Sequence, residues 1–233
     1  MGYSDRSSRP RTSRVFAEEL HTLLHEAGVP PPYILVGHSM AGFNVRLYAA
    51  LYRLEVAGMV LVDASHPYQL QRFPRALHAM SPSWIRQADL LKFLEPIGIP
   101  RLLGYCGSDQ ALRAAECTFN SFGESASERR TFRESAAQTA AVGKDLDNMP
   151  LVVLSHDTDK PEPDVPAEVE RATNSAFEQM QEELSRLSTR GARVIAKGSG
   201  HYIQGDRPDL VRIAVHQILD QVRGSPASYN FER

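Results

Sequence analysis

Long apolar runs, cysteines and an excess of either charge are what this sequence lacks. None of its 233 residues belongs to an apolar run approaching the roughly 18 that a membrane-spanning helix needs. Lys and Arg number 26 against 28 Asp and Glu, a net charge of -2, so the electrostatics favour neither nucleic acid nor an anionic membrane as a partner. Cys106 and Cys117 are the only cysteines. Two thiols do not make a disulfide framework and their spacing fits no zinc pattern, so they read as partly buried side chains in a helical segment. Residues 1–14 are polar and rich in Arg and Ser, without the apolar stretch of a secretory signal, and the expected compartment is the cytoplasm. What is present is an ordinary globular composition, 42% hydrophobic and 23% charged, long enough for one large domain or a core with a lid.

Hydrophobic periodicity organises the chain. Val15, Phe16, Leu20, Leu23, Leu24 and Ala27 recur at helical spacing, and Gly28 and Pro30 stop that helix. Residues 33–36 and 56–62 are short continuous apolar runs, the pattern of strands covered on both faces, 151–154 repeats it, and 193–196 makes a fourth strand. Helical patterns at 43–52, 167–187 and 208–222 alternate with these strands. The predicted core, residues 1–65 and 149–233, is therefore an α/β arrangement of a parallel sheet flanked by helices. Residues 66–148 differ: five prolines, the single Trp84 and short helical patterns predict a helical cap inserted into the core.

The densest signal is Gly37-His38-Ser39-Met40-Ala41-Gly42, set between the 33–36 strand and a helix. A serine at the tip of a sharp strand-to-helix turn is a nucleophile elbow, and small residues at 37 and 41 give the crossing chain room. The helix that starts after Ser39 aims its free N–H groups, Met40's included, at negative charge forming beside the serine oxygen. Serine needs a base. Of the eight histidines, His21, His25 and His216 sit on helical faces, whereas His201 lies on a Gly-rich loop, Gly198-Ser199-Gly200-His201, after the last strand.

Together with Leu61-Val62-Asp63-Ala64-Ser65-His66-Pro67 and Asp206-Arg207-Pro208, these motifs make the chain resemble the α/β-hydrolases over essentially its whole length. The resemblance implies a Ser–acid–His chain order, with the loops gathered at the carboxyl ends of a parallel sheet. Ser39 is the implied nucleophile, His201 the base and the Met40 N–H an oxyanion donor. Three carboxylates compete for the acid's place. Asp63 ends a buried apolar strand and needs a partner there; its bland alternative is a cap on the loop towards Ser65. Asp159, then Asp157, occupy the family's usual loop after the 151–154 strand. His38 should point away from the elbow tip and pack, but with His66 and Trp84 it is a candidate for lining the substrate pocket, as are Tyr68 and Phe73 in the cap.

Relatives of this fold carry about four strands before the nucleophile strand, and only some thirty residues precede Tyr33 here. Gly2-Tyr3-Ser4-Asp5 resembles the chain just after the family's fourth strand, so the sequence looks like a hydrolase that starts partway, as a natural short form, a late start or a fragment. The 33–36 strand should then be an open sheet edge, which predicts a homo-oligomer, in the first place a two-fold dimer. The missing strands also remove the second oxyanion donor, at a cost on the order of 10²–10³ in rate. The leading expectation is a carboxylesterase-type serine hydrolase, taking small to medium esters through an acyl-enzyme and needing no cofactor or metal. Haloalkane dehalogenase and epoxide hydrolase chemistry is excluded because those reactions use a carboxylate at the elbow. The alternative is a non-catalytic, hydrolase-like protein that binds a ligand or a partner.

Overall fold

The computed structural model of the chain describes residues 7–74, 94, 97–102, 121–143, 145–159 and 166–224. Four parallel strands, β1 (Tyr33–His38), β2 (Val56–Val62), β3 (Leu151–His156) and β4 (Gly191–Ala196), lie side by side in chain order. Each connection crosses over through helices, as parallel pairing requires. The two middle strands are buried along nearly their whole length, which is why they read as unbroken apolar runs rather than alternating ones.

Successive side chains of those strands point to opposite faces. Met59, Leu61, Leu151 and Val153 pack with Leu47, Tyr48 and Leu184 on one side. Val60, Val62, Val152 and Leu154 pack with Ile203, Leu210, Ala214 and Ile218 on the other. The first face is covered by α1 (Ser13–Glu26), α2 (Ala41–Leu51) and, further along the chain, α7 (Ala167–Ser185); the second by α8 (Ile203–Asp206) and α9 (Pro208–Arg223). Local chemistry sets the helix ends. Thr12 caps α1 by accepting the Val15 N–H, while Pro208 opens α9 and Gly224, at φ +70°, closes it.

Between β2 and β3 the described residues form only helices: α3 (Gln69–Arg72), α4 (Ile99–Leu102), α5 (Ser121–Arg130) and α6 (Phe132–Ala141). α6 is stitched to the core. Ser135 Oγ accepts the Ser13 N–H at 3.0 Å, Gln138 Oε1 accepts the Arg14 N–H at 3.0 Å, and the Phe132 ring meets Phe43 of α2 at 5.4 Å. Trp84, Cys106 and Cys117 lie outside the described residues. Where strand and helix ends differ from the periodicity reading they do so by one or two residues: β1 runs on to His38 and β4 begins at Gly191. Ladder bonds, which hydrophobicity does not encode, extend both strands.

β1 is the sheet's first strand and pairs with β2 alone among the described residues. Ser7, Arg9 and Arg11 attach to Glu18 and Glu19 on α1, and Arg11 also to Ser127 on α5. Val36, on the outer strand, is 45% exposed.

Candidate active site

The turn between β1 and α2 holds Ser39 at φ +54°, a left-handed conformation unusual for a residue with a side chain. The backbone around it leaves no alternative. Ser39 N–H donates to the Val62 carbonyl, and the Ser39 carbonyl accepts from Gly42 and Ser65 N–H groups. A Cβ on Gly37 would stand 2.7 Å from the Ala41 carbonyl oxygen and 2.8 Å from a Val45 methyl, so only glycine fits where the helix crosses back over the strand. Phe43 N–H turns back on the Met40 carbonyl. No acceptor meets the Met40 N–H among the described residues, so it stands as a free donor beside Ser39.

Ser39 Oγ lies 3.1 Å from Nε2 of His201. Nδ1 of the same ring is 2.6 Å from Asp63 Oδ2. The three side chains thus form one hydrogen-bonded chain across 162 residues of sequence. With Nδ1–H donating to a carboxylate, Nε2 is left as the acceptor of the serine proton. The loop that carries His201 is pinned from two sides. Asp157 Oδ2 accepts the Gly198 N–H at 2.8 Å and Asp206 Oδ2 accepts the Gly200 N–H at 2.7 Å.

Asp63 is only 3% exposed and, like Ser39, holds a positive φ, +45°. Burial works against its charge, yet hydrogen bonds from His156 and His201 outweigh that penalty and hold the carboxyl below the usual carboxylate range. His156 contributes two of those donors: its N–H at 2.8 Å from Oδ1, and ring Nδ1 at 2.9 Å from Oδ1 and 3.0 Å from Oδ2. Its ring stacks on Phe177 of α7 at 4.1 Å. Nothing in the sequence reading singled out His156. It ends an apolar strand, and the signal available was that a second titratable side chain stands one strand over from Asp63.

The other candidates are placed as follows. Asp157 and Asp159 both bind Lys197, at 3.1 and 3.0 Å. Asp157 is held low first by the Gly198 N–H and then by Lys197, so it serves the loop rather than the ring of His201. Ser65 is bonded to the Ser39 carbonyl, which leaves the bland reading of Asp63 as its cap without support. His38 does not merely pack: its Nε2 donates to the His201 carbonyl at 2.9 Å, and its ring lies 4.6 Å from His201 and 5.5 Å from Tyr202. Burial first, then the neighbouring His201, hold its pKa below the ordinary histidine value, against the opposing pull of the carbonyl and Asp63. His66 is buried against Glu183, with Nε2 at 3.3 Å from Oε2, and its ring neighbours Tyr68. Among the described residues no group of three or more His, Cys, Asp or Glu could hold a metal ion, and no helix is long and apolar enough to cross a membrane.

A parallel sheet flanked by helices, with a serine on the strand–turn–helix corner and a histidine on the loop after the last strand, defines the hydrolase class built on this fold. The sequence profile of the alpha/beta hydrolase family matches residues 1–214, and the chain belongs to that family. Solved structures agree on the fold. A thermophilic esterase from Thermogutta terrifontis superposes with a TM-score of 0.57 at 20% identity, covering 95% of this chain and 77% of that one. A probable hydrolytic enzyme from Pseudomonas aeruginosa PAO1 gives 0.56 at 21%, covering 92% and 71%. Among curated proteins, the uncharacterized YqjL of Bacillus subtilis is 25% identical over 222 residues, 94% of this chain and 69% of that protein. Of three further curated proteins that match, the aligned part is 13%, 18% and 21% of their length.

Proposed function

We propose that the protein is a carboxylesterase-type serine hydrolase acting on small to medium esters, with Ser39, His201 and Asp63 as its catalytic triad. The observation that carries this reading is the unbroken hydrogen-bond chain from Ser39 Oγ through the His201 ring to Asp63, at 3.1 and 2.6 Å. Similarity to an esterase fold supports it in outline.

In this mechanism the Ser39 oxygen attacks the ester carbonyl while its proton passes to His201 Nε2. The carbonyl's electron pair moves onto oxygen, and the Met40 N–H at the start of α2 stabilises that oxyanion. The imidazolium is steadied by Asp63 and returns its proton to the departing alkoxide, leaving the acyl group on Ser39. Water then repeats the sequence: it gives a proton to His201, attacks the acyl carbon, and releases the carboxylic acid as Ser39 recovers its hydrogen. His156 acts one step back, as a positioning residue whose backbone and ring N–H groups fix Asp63. His38 holds the His201 backbone, and with Tyr202, 67% exposed, it stands at the rim where a substrate would enter.

A fluorophosphonate probe tests the reading directly. The parent protein should be labelled on Ser39 and should hydrolyse a series of nitrophenyl esters, with a chain-length optimum that reports the acyl pocket. Ser39→Ala should lose labelling and several orders of magnitude in turnover while keeping its fold. Absence of labelling in a folded parent would move the protein to the non-catalytic, ligand-binding alternative.

A further inference from the structure

Arg46 lies on α2, away from the elbow, and is only 6% exposed. Buried cations are costly unless paired, and even three more exposed arginines nearby each have a carboxylate. Arg72 pairs with Glu183 at 2.8 Å, Arg186 with Glu182 at 3.0 Å, and Arg53 with Asp147 at 3.5 Å. Arg46 has no carboxylate among the described residues, and its Nη1 is buried without any hydrogen-bond partner. Among the described residues only Tyr68 lies near enough to favour its charge, and burial pulls the guanidinium down to about 10.

The guanidinium does not abut solid core. A cavity of about 340 Å³ opens between α2, α6 and α7, with Arg46, His66, Tyr68, Ala140, Glu183 and Leu187 among its walls. A second cavity of about 220 Å³, nearer Arg53 and Asp147, shares Arg46, Gly143 and Leu187 with the first. On the walls of the larger cavity Glu183 is paired with Arg72 at 2.8 Å and meets His66 at 3.3 Å, and Arg186 is paired with Glu182. Among the described residues of these walls, the one charge without an opposite partner is positive and belongs to Arg46. Pro67, Ala140, Leu184 and Leu187 supply the apolar part of the lining.

We propose that this cavity is a binding site for a small carboxylic acid with an apolar body, its carboxylate held by Arg46. The planar guanidinium fork matches a carboxylate's two oxygens, and pairing would balance the unopposed charge. The alkyl walls take the apolar body, and the volume is at the small end of the range for ligand pockets. The inference is independent of the chemistry proposed for Ser39.

Isothermal titration of the full chain with benzoate, hexanoate and inorganic phosphate tests it. One equivalent of benzoate or hexanoate should bind, and binding should persist when Ser39 is blocked by a fluorophosphonate. Arg46→Met should weaken it by at least roughly tenfold, with Arg46→Lys falling between. Because a charge is easier to lose than to bury unpaired, Arg46→Met should also melt no lower than the parent without ligand. Benzoate should then raise the melting temperature of the parent only. Unaltered binding in Arg46→Met or Arg46→Lys, loss of binding on blocking Ser39, or no saturable binding at millimolar concentration would each overturn the proposal. Binding of phosphate alone would overturn the carboxylate assignment.

Discussion

Changing Asp63 to asparagine is the sharpest perturbation of the proposed triad, because the structure dictates how the amide must sit. Three N–H groups converge on the carboxylate: the His156 backbone at Oδ1, the His201 ring at Oδ2, and the His156 ring between the two oxygens at 2.9 and 3.0 Å. An amide offers one oxygen and one NH₂. The His156 backbone N–H can only donate, whereas either imidazole can change tautomer, so the amide oxygen takes the Oδ1 place facing that N–H and the NH₂ faces His201 Nδ1. That nitrogen must then accept, which moves the ring proton to Nε2 and blocks it as the base for Ser39. A wrong tautomer in such a triad costs about 10⁴ in turnover, or about 5.5 kcal/mol of transition-state stabilisation. Steady-state hydrolysis of nitrophenyl butyrate by Asp63→Asn, beside Asp157→Asn and Asp159→Asn, reads the effect. The last two should behave as loop substitutions, because their partner is Lys197. A loss smaller than tenfold in Asp63→Asn, or a larger one in Asp159→Asn, would refute the reasoning and return the acid to the loop after β3.

Other outcomes follow from the same geometry. His156→Phe should keep the ring stack on Phe177 yet lower kcat by about 10–100-fold at unchanged KM, the scale on which lost orienting partners act on histidine ligands; His156→Asn, which can still donate, should recover part of it, and an unchanged kcat in His156→Phe would remove its positioning role. Because Asp63 is held below the usual carboxylate range, the folded state binds fewer protons than the unfolded chain from that depressed value up to about 3.9. Its stabilisation is thus complete above about 3.9 and lost as pH falls through the folded value, so urea unfolding across the acid range should show a limb that flattens in Asp63→Asn. The β1 edge carries the expectation of a two-fold dimer: light scattering should give twice the chain mass, and Val36→Lys, a charge on an edge strand, should shift it towards monomer. A monodisperse monomeric parent would end that idea.

The local half of this protein is legible in its sequence. Gly37 to Gly42 spell the elbow because a sharp turn under a crossing helix tolerates only small neighbours, and Gly37 is hemmed in by Ala41 and Val45 as that rule requires. β2 and β3 announce themselves as unbroken apolar runs because helices cover both faces of the sheet. The contacts around Asp63 belong to the tertiary structure. Asp63, Asp157 and Asp159 all follow parallel strands and so end on the same side of the sheet, where spacing along the chain cannot rank them. Which carboxylate meets the His201 ring depends on where each loop turns, and Lys197 and Gly198 draw the other two away. His156 and Arg46 were hidden for the same reason: a histidine ending a strand and an arginine in a helix are unremarkable in one dimension. Their meaning comes from what neighbouring elements put beside them, a buried carboxylate in one case and a cavity in the other.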